Sequence, residues 1–103
     1  MLPSIAIALK KIGRDIKTAR LRRRLPAATV AERARISRVT LSKIERGQPT
    51  VAMGNYAMVL FALGMLDRFK DIADPRHDGV GILLEDERLP KRVRIKKPKE
   101  ESE

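Results

Sequence analysis

The chain of 103 residues contains no cysteine, only one histidine and no long apolar run. The absence of cysteine excludes disulfides, thiolate metal sites and cysteine nucleophiles, and His77 cannot form a metal cluster alone. The longest apolar stretch, AMVLFALGML at 57–66, is shorter than the ~18–20 residues of a membrane span and suits a buried helix. At the N-terminus apolar residues precede the charges, the wrong order for a secretory signal. We therefore expect a cytoplasmic protein of about one domain, with no membrane contact, metal or cofactor.

The positive charge lies in two blocks of a chain whose net charge is +10. Residues 1–49 contain 13 Lys and Arg against three acidic residues, and residues 88–99 contain seven basic residues and none acidic. Between them, residues 67–87 contain three basic and seven acidic residues. Basic blocks attract phosphate and release counterions on binding nucleic acid. Charge alone would equally suit a solvated surface, so the fold has to decide between the two interpretations.

Apolar spacing predicts an all-α domain. Steps of four and three residues predict a first helix from Ser4, its N-cap, to about Arg24, with Gly13 as a weak point. One face of this helix would consist of Ile5, Leu9, Ile12, Ile16 and Ala19. A short second helix fits LPAATVAERA, and a third begins after Ser37 and ends at Gly47. A fourth helix ends at Gly64, and a fifth, in LDRFKDIAD, stops at Pro75.

The pattern weakens after Pro75. The stretch VGILL at 80–84 fits either a short helix or a strand, and we favour the helix. The segment LPKRVRIKKPKEESE from Leu89 has too few apolar residues to form a core. We therefore expect a folded helical domain over residues 1–75. Residues 76–103 would be a C-terminal extension, partly extended or disordered, that binds a partner.

Two short helices joined by a turn form a helix-turn-helix, whose second helix enters the major groove of DNA. The apolar positions here point inward, namely Val30, Ala31, Ala34, Ile36, Leu41 and Ile44. The third helix would direct Arg38, Val39, Ser42 and Lys43 outward, where Arg can bond guanine and Val can touch a thymine methyl. An enzyme is disfavoured, because the acidic run at 85–87 is a solvated surface rather than an acid/base pair.

The stretch LRRRLPAATVAERARISRVTLSKIERGQP resembles the helix-turn-helix of the Xre/Cro-C1-type repressor family. The shared motifs are A-E-x-A at 31–34, S-x-x-x-[LIV]-S at 37–42 and I-E-x-G at 44–47. The resemblance implies a five-helix, lambda-repressor-like bundle in which Arg20 and Glu45 form a partly buried ion pair. It also implies base reading by Arg38, Val39, Ser42 and Lys43, and phosphate contacts from Ser37, Thr40 and Arg46.

Two positions depart from the family pattern. The second helix begins with Pro26 and Ala27, where the family usually has a polar pair that caps the helix and touches phosphate. The turn position is Arg35, where the family usually has Gly. Either Arg35 is held at positive φ, at a cost on the order of 1 kcal/mol, or the turn differs.

The continuation VAMGNYAMVLFALGMLDRFKDIADP and the segment RLPKRVR look like HipB-like antitoxins, which pair with HipA-type kinase toxins. A homodimer on a palindromic double-stranded operator is expected, in a bacterial cytoplasm and nucleoid-associated when bound. The dimer face would be the apolar set Phe61, Met65, Leu66 and Phe69. The apolar residues within the basic tail suggest docking to the HipA-like Ser/Thr kinase, through Leu89, Arg92, Val93, Arg94 and Ile95. A free-standing Xre-type repressor, or an adaptor that has lost DNA binding, are the alternatives.

Overall fold

The computed structural model describes residues 1–88, and for Arg88 the backbone alone. This part of the chain forms six α-helices, one 3₁₀ turn and no strand. The helices are α1 (Pro3–Arg22), α2 (Ala27–Ala34), α3 (Arg38–Glu45), α4 (Met53–Ala62), α5 (Leu66–Lys70) and α6 (Gly79–Arg88), and the 3₁₀ turn is Pro75–His77. The all-α prediction is confirmed. Six helices are present rather than five, because the helix favoured around 80–84 does form, within the predicted extension.

The described chain divides into two compact units, Met1–Phe69 and a second that begins at Lys70. The core of the first unit is small and is built where α2, α3 and α4 meet the second half of α1. Leu41, Ile44, Val30 and Val59 are its largest fully buried side chains. Every inward position predicted for the helix-turn-helix is buried, except that Ile36 is half-buried and packs on the core. The functional division predicted at residue 75 stays a prediction.

The first half of α1 does not follow the sequence prediction. Ile16 and Ala19 are buried, but Ile5 and Ile12 are 47% and 41% exposed, so the predicted apolar face is only partly buried. The N-terminal turns of α1 extend beyond the small core, which covers only the later part of the helix. The predicted cap at Ser4 is also wrong, because Leu2 is the N-cap and Pro3 occupies the first turn. The fixed φ of proline suits that position.

Four helices end in the same left-handed turn. A residue one or two positions beyond the helix has positive φ, with values of 54° at Arg24, 59° at Arg35, 71° at Gly47 and 76° at Gly64. In each case the backbone N–H of the residue that follows donates to the carbonyl oxygen of the residue five positions before it, as in the Schellman motif. Of the two alternatives left open at Arg35, the structure has the positive φ, and the positive φ at Arg24 was not predicted. Each arginine raises the free energy of the folded state by about 1 kcal/mol relative to glycine.

Gly13 of α1 and Gly47 after α3 let two backbones touch. A Cβ on Gly13 would lie 2.6 Å from the carbonyl oxygen of Ile44 and 2.7 Å from that of Glu45. A Cβ on Gly47 would lie 2.5 Å from the carbonyl oxygen of Leu9. Gly13 is therefore not a weak point of α1 but the position at which α3 docks on it, since no other residue leaves room for this approach.

The two units differ in burial. No side chain described between Lys70 and Glu87 is buried. Local contacts order this segment instead: Asp74 accepts from the backbone N–H of Arg76 at 2.8 Å and from its guanidinium Nη2 at 2.6 Å. These bonds hold the pKa of the Asp74 carboxyl well below its usual range. Asp78 begins α6 by accepting from the N–H of Gly81 at 2.9 Å.

Alanine substitutions at two helical glycines should have opposite effects. Gly13→Ala should lower the free energy of unfolding by at least about 2 kcal/mol, because the methyl group meets backbone atoms that have little freedom to move. Gly54→Ala in α4 is the matched control, because no atom lies within 4 Å of the point that its methyl group would occupy. It should leave stability unchanged or raise it by about 0.5–1 kcal/mol. Urea unfolding measures both, and equal effects would show that the backbones are not in contact.

Candidate nucleic-acid interface

The turn between α2 and α3 is fixed by its backbone and by one side-chain cap. Arg35 adopts the left-handed conformation, and the half-buried Ile36 packs on the core. Ser37 is the N-cap of α3 and its Oγ accepts from the N–H of Thr40 at 3.0 Å. A serine cap satisfies one of the free N–H groups at a helix start, so the predicted cap is confirmed. The start of α3 is thereby fixed relative to α2.

The outer face of α3 presents hydrogen-bond donors and one apolar side chain. Arg38 is exposed and has no hydrogen-bond or ion-pair partner within residues 1–88. Val39 is 64% exposed, and Ser42 and Lys43 are half-buried beside it. The structure therefore brings the four residues predicted to read bases onto one short helix, with Arg38 in its first turn.

The residues predicted to hold phosphate already bond to one another or to neighbours. The Oγ of Ser37 donates to the Oγ1 of Thr40 at 2.9 Å, which leaves the Thr40 hydroxyl proton free for another acceptor. Arg46 is exposed, and its Nη1 donates to the Oγ of Ser42 at 2.9 Å. Ser42 can still donate its own proton. Thr40, Ser42 and Arg46 therefore keep a donor available for a phosphate or base oxygen, whereas the only hydroxyl proton of Ser37 is already used.

Arg20 joins three segments of the chain behind α3. Its Nε and Nη2 donate to the two carboxylate oxygens of Glu45 at 2.7 and 3.1 Å. Its Nη1 donates to the carbonyl oxygen of Leu25 at 3.1 Å. The hydrogen bond that Arg20 donates to Glu45 raises the pKa of Arg20, and both side chains are about nine-tenths buried. The bidentate geometry fixes the relative orientation of the two groups, so α3 is held against α1 and the loop that begins α2.

An open groove of about 320 Å³ lies between the start of α2 and α3. Its walls include Ala27 of α2 and Arg38 and Val39 of α3. Pro26 is the N-cap of α2 and supplies no side-chain hydrogen bond. The polar clamp that the family usually has here is therefore absent. The N–H groups of Ala27 and Ala28 have no partner within the described chain, and they remain donors at the helix start.

The predicted dimer face is partly exposed. Phe61 is 62% exposed and Leu66 is exposed, while Met65 and Phe69 are half-buried. Met65 packs against the core, so its apolar surface has a use within one chain. The predicted partner residues Leu89, Arg92, Val93, Arg94 and Ile95 lie outside the described residues.

The short helices α2 and α3, their three-residue turn and the core behind them constitute a helix-turn-helix. A family model described as "Helix-turn-helix domain" matches residues 11–67, more than half of the chain. The chain therefore belongs to this helix-turn-helix family, of the Xre/Cro-like kind, which defines a DNA-binding regulator. No curated protein and no solved structure matches the chain. Within residues 1–88, no helix is both long and apolar enough to cross a membrane.

Removal of either partner of the buried ion pair should destabilise the fold strongly. Arg20→Met and Glu45→Leu should each lower the free energy of unfolding by about 3 kcal/mol, because each leaves a buried charge without its partner. The double variant should lose much less stability than the sum of the losses of the two single variants.

The exposed pair Lys11–Asp15, with Nζ and Oδ2 also 2.6 Å apart, is the matched control. The corresponding double-mutant cycle with Lys11→Met and Asp15→Leu should give a coupling energy below about 0.5 kcal/mol. Urea unfolding of all the variants measures both couplings. Equal couplings for the two pairs would contradict the structural role of Arg20.

Proposed function

We propose that the protein is a sequence-specific transcriptional repressor that is also the antitoxin of a HipA-like kinase and represses its own operon. The outer face of α3 is the observation that supports the DNA-binding part of this proposal. There an unpartnered Arg38 stands beside exposed Val39 on a helix held from behind by Arg20. A free guanidinium can bond the two acceptors of guanine without first breaking another bond. The 13 basic residues of 1–49 add attraction for phosphate.

The groove beside α3 suggests what the apolar residues recognise. Ala27 and Val39 line it, with Arg38 at the same opening. Thymine carries its methyl group in the major groove, where small apolar side chains contact it. We propose that Val39 and Ala27 accept a thymine methyl next to a guanine bonded by Arg38.

Arg38 and Arg46 should affect DNA binding in different ways. Arg38→Ala should cost about 1–3 kcal/mol on the operator and relax specificity at one base position. Arg46→Ala should weaken binding to operator and random duplexes alike. It should also reduce the slope of the logarithm of the binding constant against the logarithm of salt concentration by about one, because one phosphate contact is lost. Fluorescence anisotropy on both duplexes at several salt concentrations measures this. Identical profiles for the two variants would refute the proposed division of roles.

We propose that the protein binds its operator as a two-fold dimer through Phe61, Met65, Leu66 and Phe69. One short helix reads few bases, so proteins of this class usually bind two half-sites about one helical turn apart. Phe61 supports this face, because burying a large exposed aromatic side chain against a second copy lowers the free energy.

The dimer should be sensitive to charge at Phe61. Phe61→Asp should give a monomer by light scattering, because two like charges would face each other across a two-fold contact. Leu21→Asp is the control, because Leu21 of α1 is also exposed and apolar but lies outside this face. A Phe61→Asp variant that remains dimeric would remove this interface from the proposal.

The antitoxin half rests on the resemblance to HipB-like proteins and on the second unit. Val80, Leu83 and Leu84 of α6 are all exposed, and no side chain described in this unit is buried. A helix with an unburied apolar face is suited to bind in a groove of a partner. We propose that α6 and the tail to about Lys97 contact the kinase, with DNA affinity as a secondary role.

Two truncations test the partner segment. Removal of all residues after Asp78 should abolish capture of the kinase encoded beside the gene, because α6 and the tail are both lost. Specific operator binding should be mostly retained. Removal of the residues after Arg88 should weaken capture only partly. A pull-down with each truncated chain measures this, and full neutralisation by the shorter one would place the partner site within residues 1–78.

A free-standing Xre-type repressor is the second candidate function. It shares every DNA-binding residue with the first and differs only in having no toxin partner. The gene neighbourhood decides between them, because an antitoxin should lie beside a kinase-sized reading frame.

A further inference from the structure

Two arginines occupy a backbone conformation that glycine adopts more readily. Arg24 and Arg35 are the non-glycine residues of the described chain with positive φ, at 54° and 59°. In this conformation the Cβ of an L-residue crowds the following carbonyl oxygen, whereas glycine has no Cβ. A strained backbone persists only where the surrounding structure holds it, and it is often found at functional sites. Each position therefore needs a reason for carrying an arginine.

Bonding within the chain does not supply that reason. Arg24 and Arg35 are both exposed, and neither guanidinium has a hydrogen-bond or ion-pair partner within residues 1–88. The neighbouring Arg23 differs, because its Nη1 donates to the carbonyl oxygen of Ala19 at 2.9 Å. The two strained arginines thus contribute neither burial nor a side-chain hydrogen bond to the fold.

Attraction to a helix dipole does not supply the reason either. Both arginines follow a helix C-terminus, where a cation is favourable. The last turn of α1 already contains Arg20 and Arg22, and the last turn of α2 contains Arg33. These three cations lie within the helices and have no positive φ. A glycine at position 24 or 35 would leave them in place and would relieve the strain.

The two arginines flank α2, the first helix of the helix-turn-helix. Arg24 lies two residues before its N-cap Pro26, and Arg35 is its C-cap. In this motif the first helix crosses the DNA backbone while the second lies in the major groove. Arg35 also lies two residues before Ser37, the N-cap of α3, so the two Cα atoms are at most about 7.6 Å apart. Both free guanidinium groups therefore belong to segments that lie beside DNA in this class of protein.

We propose that Arg24 and Arg35 bind phosphate groups of the DNA backbone, one at each end of α2. A guanidinium matches the geometry of a phosphate, and these two break no internal bond on binding. Eight residues make α2 about 12 Å long, so each arginine is expected to reach a different phosphate. Such contacts strengthen binding to every sequence. The inference rests on the proposed DNA binding through α3 and adds two contacts to it.

Glycine variants separate DNA binding from folding. Arg24→Gly and Arg35→Gly should each weaken binding to a short random-sequence DNA duplex at least about threefold at low salt. Each should also reduce the slope of the logarithm of the binding constant against the logarithm of salt concentration by about one. Neither should lower the urea concentration at the midpoint of unfolding, because glycine adopts the left-handed conformation without strain. A lower midpoint with unchanged DNA binding would assign both arginines to the fold and overturn the proposal.

Two further variants control for charge. Arg35→Lys should keep the salt slope, because lysine also supplies one positive charge. Arg68→Ala removes a charge from α5, outside the helix-turn-helix, and should change the slope by much less than one, because salt screens distant charges. Fluorescence anisotropy at several salt concentrations measures all four variants. Equal slopes for Arg68→Ala and the glycine variants would show that net charge alone is responsible and would also overturn the proposal.

Arg38→Ala distinguishes failure of this inference from failure of the proposed function. Weaker operator binding by Arg38→Ala, with binding by Arg24→Gly and Arg35→Gly equal to that of the unaltered chain, would remove the two phosphate contacts and leave the proposed function intact. Unchanged DNA binding with weaker capture of the kinase would assign the two arginines to a protein surface instead. An unaltered chain that binds no duplex would refute the inference and the proposed function together.

Discussion

The close crossing of α1 and the end of α3 is the constraint on which the orientation of α3 depends. Two glycines allow the backbones to touch, and Arg20 then bonds Glu45 from a few residues away. The glycines set the distance between the helices, and the bidentate pair sets the rotation of α3. Neither is sufficient alone, because a glycine contact has no direction and an ion pair between long side chains tolerates displacement. Together they hold α3 with Arg38 and Val39 facing outward.

The sequence predicted the helix-turn-helix well because its signals are local. The serine cap, the apolar spacing of α2 and α3 and the glycine after α3 each act within a few residues, and each is found as expected. The positive φ at Arg35 was also foreseeable, since a left-handed residue commonly follows a helix that makes a tight turn. The sixth helix was only favoured, because Gly79 and Gly81 weaken the pattern.

The features that the sequence did not reveal depend on tertiary contacts. The periodicity of α1 is the same in its buried and its exposed half, so Ile5 and Ile12 look like core residues until the size of the core is known. Gly13 looks like a defect in a helix until the chain that crosses it is known. Arg24 gave no signal, because arginine is not a residue that favours the left-handed region. The roles of the residues on α3 in DNA binding stay predictions.

The separation of Gly13 and Gly47 along the chain also bears on the order in which the domain folds. The turn from α2 to α3 closes over three residues, whereas the α1–α3 crossing brings together residues 34 positions apart. Closing the longer loop costs more chain entropy, so contacts within the helix-turn-helix can form before α1 docks. On that pathway α3 becomes helical early and acquires its final orientation late. The step that determines DNA recognition would then be the docking of α1, a helix that lies outside the recognition motif itself.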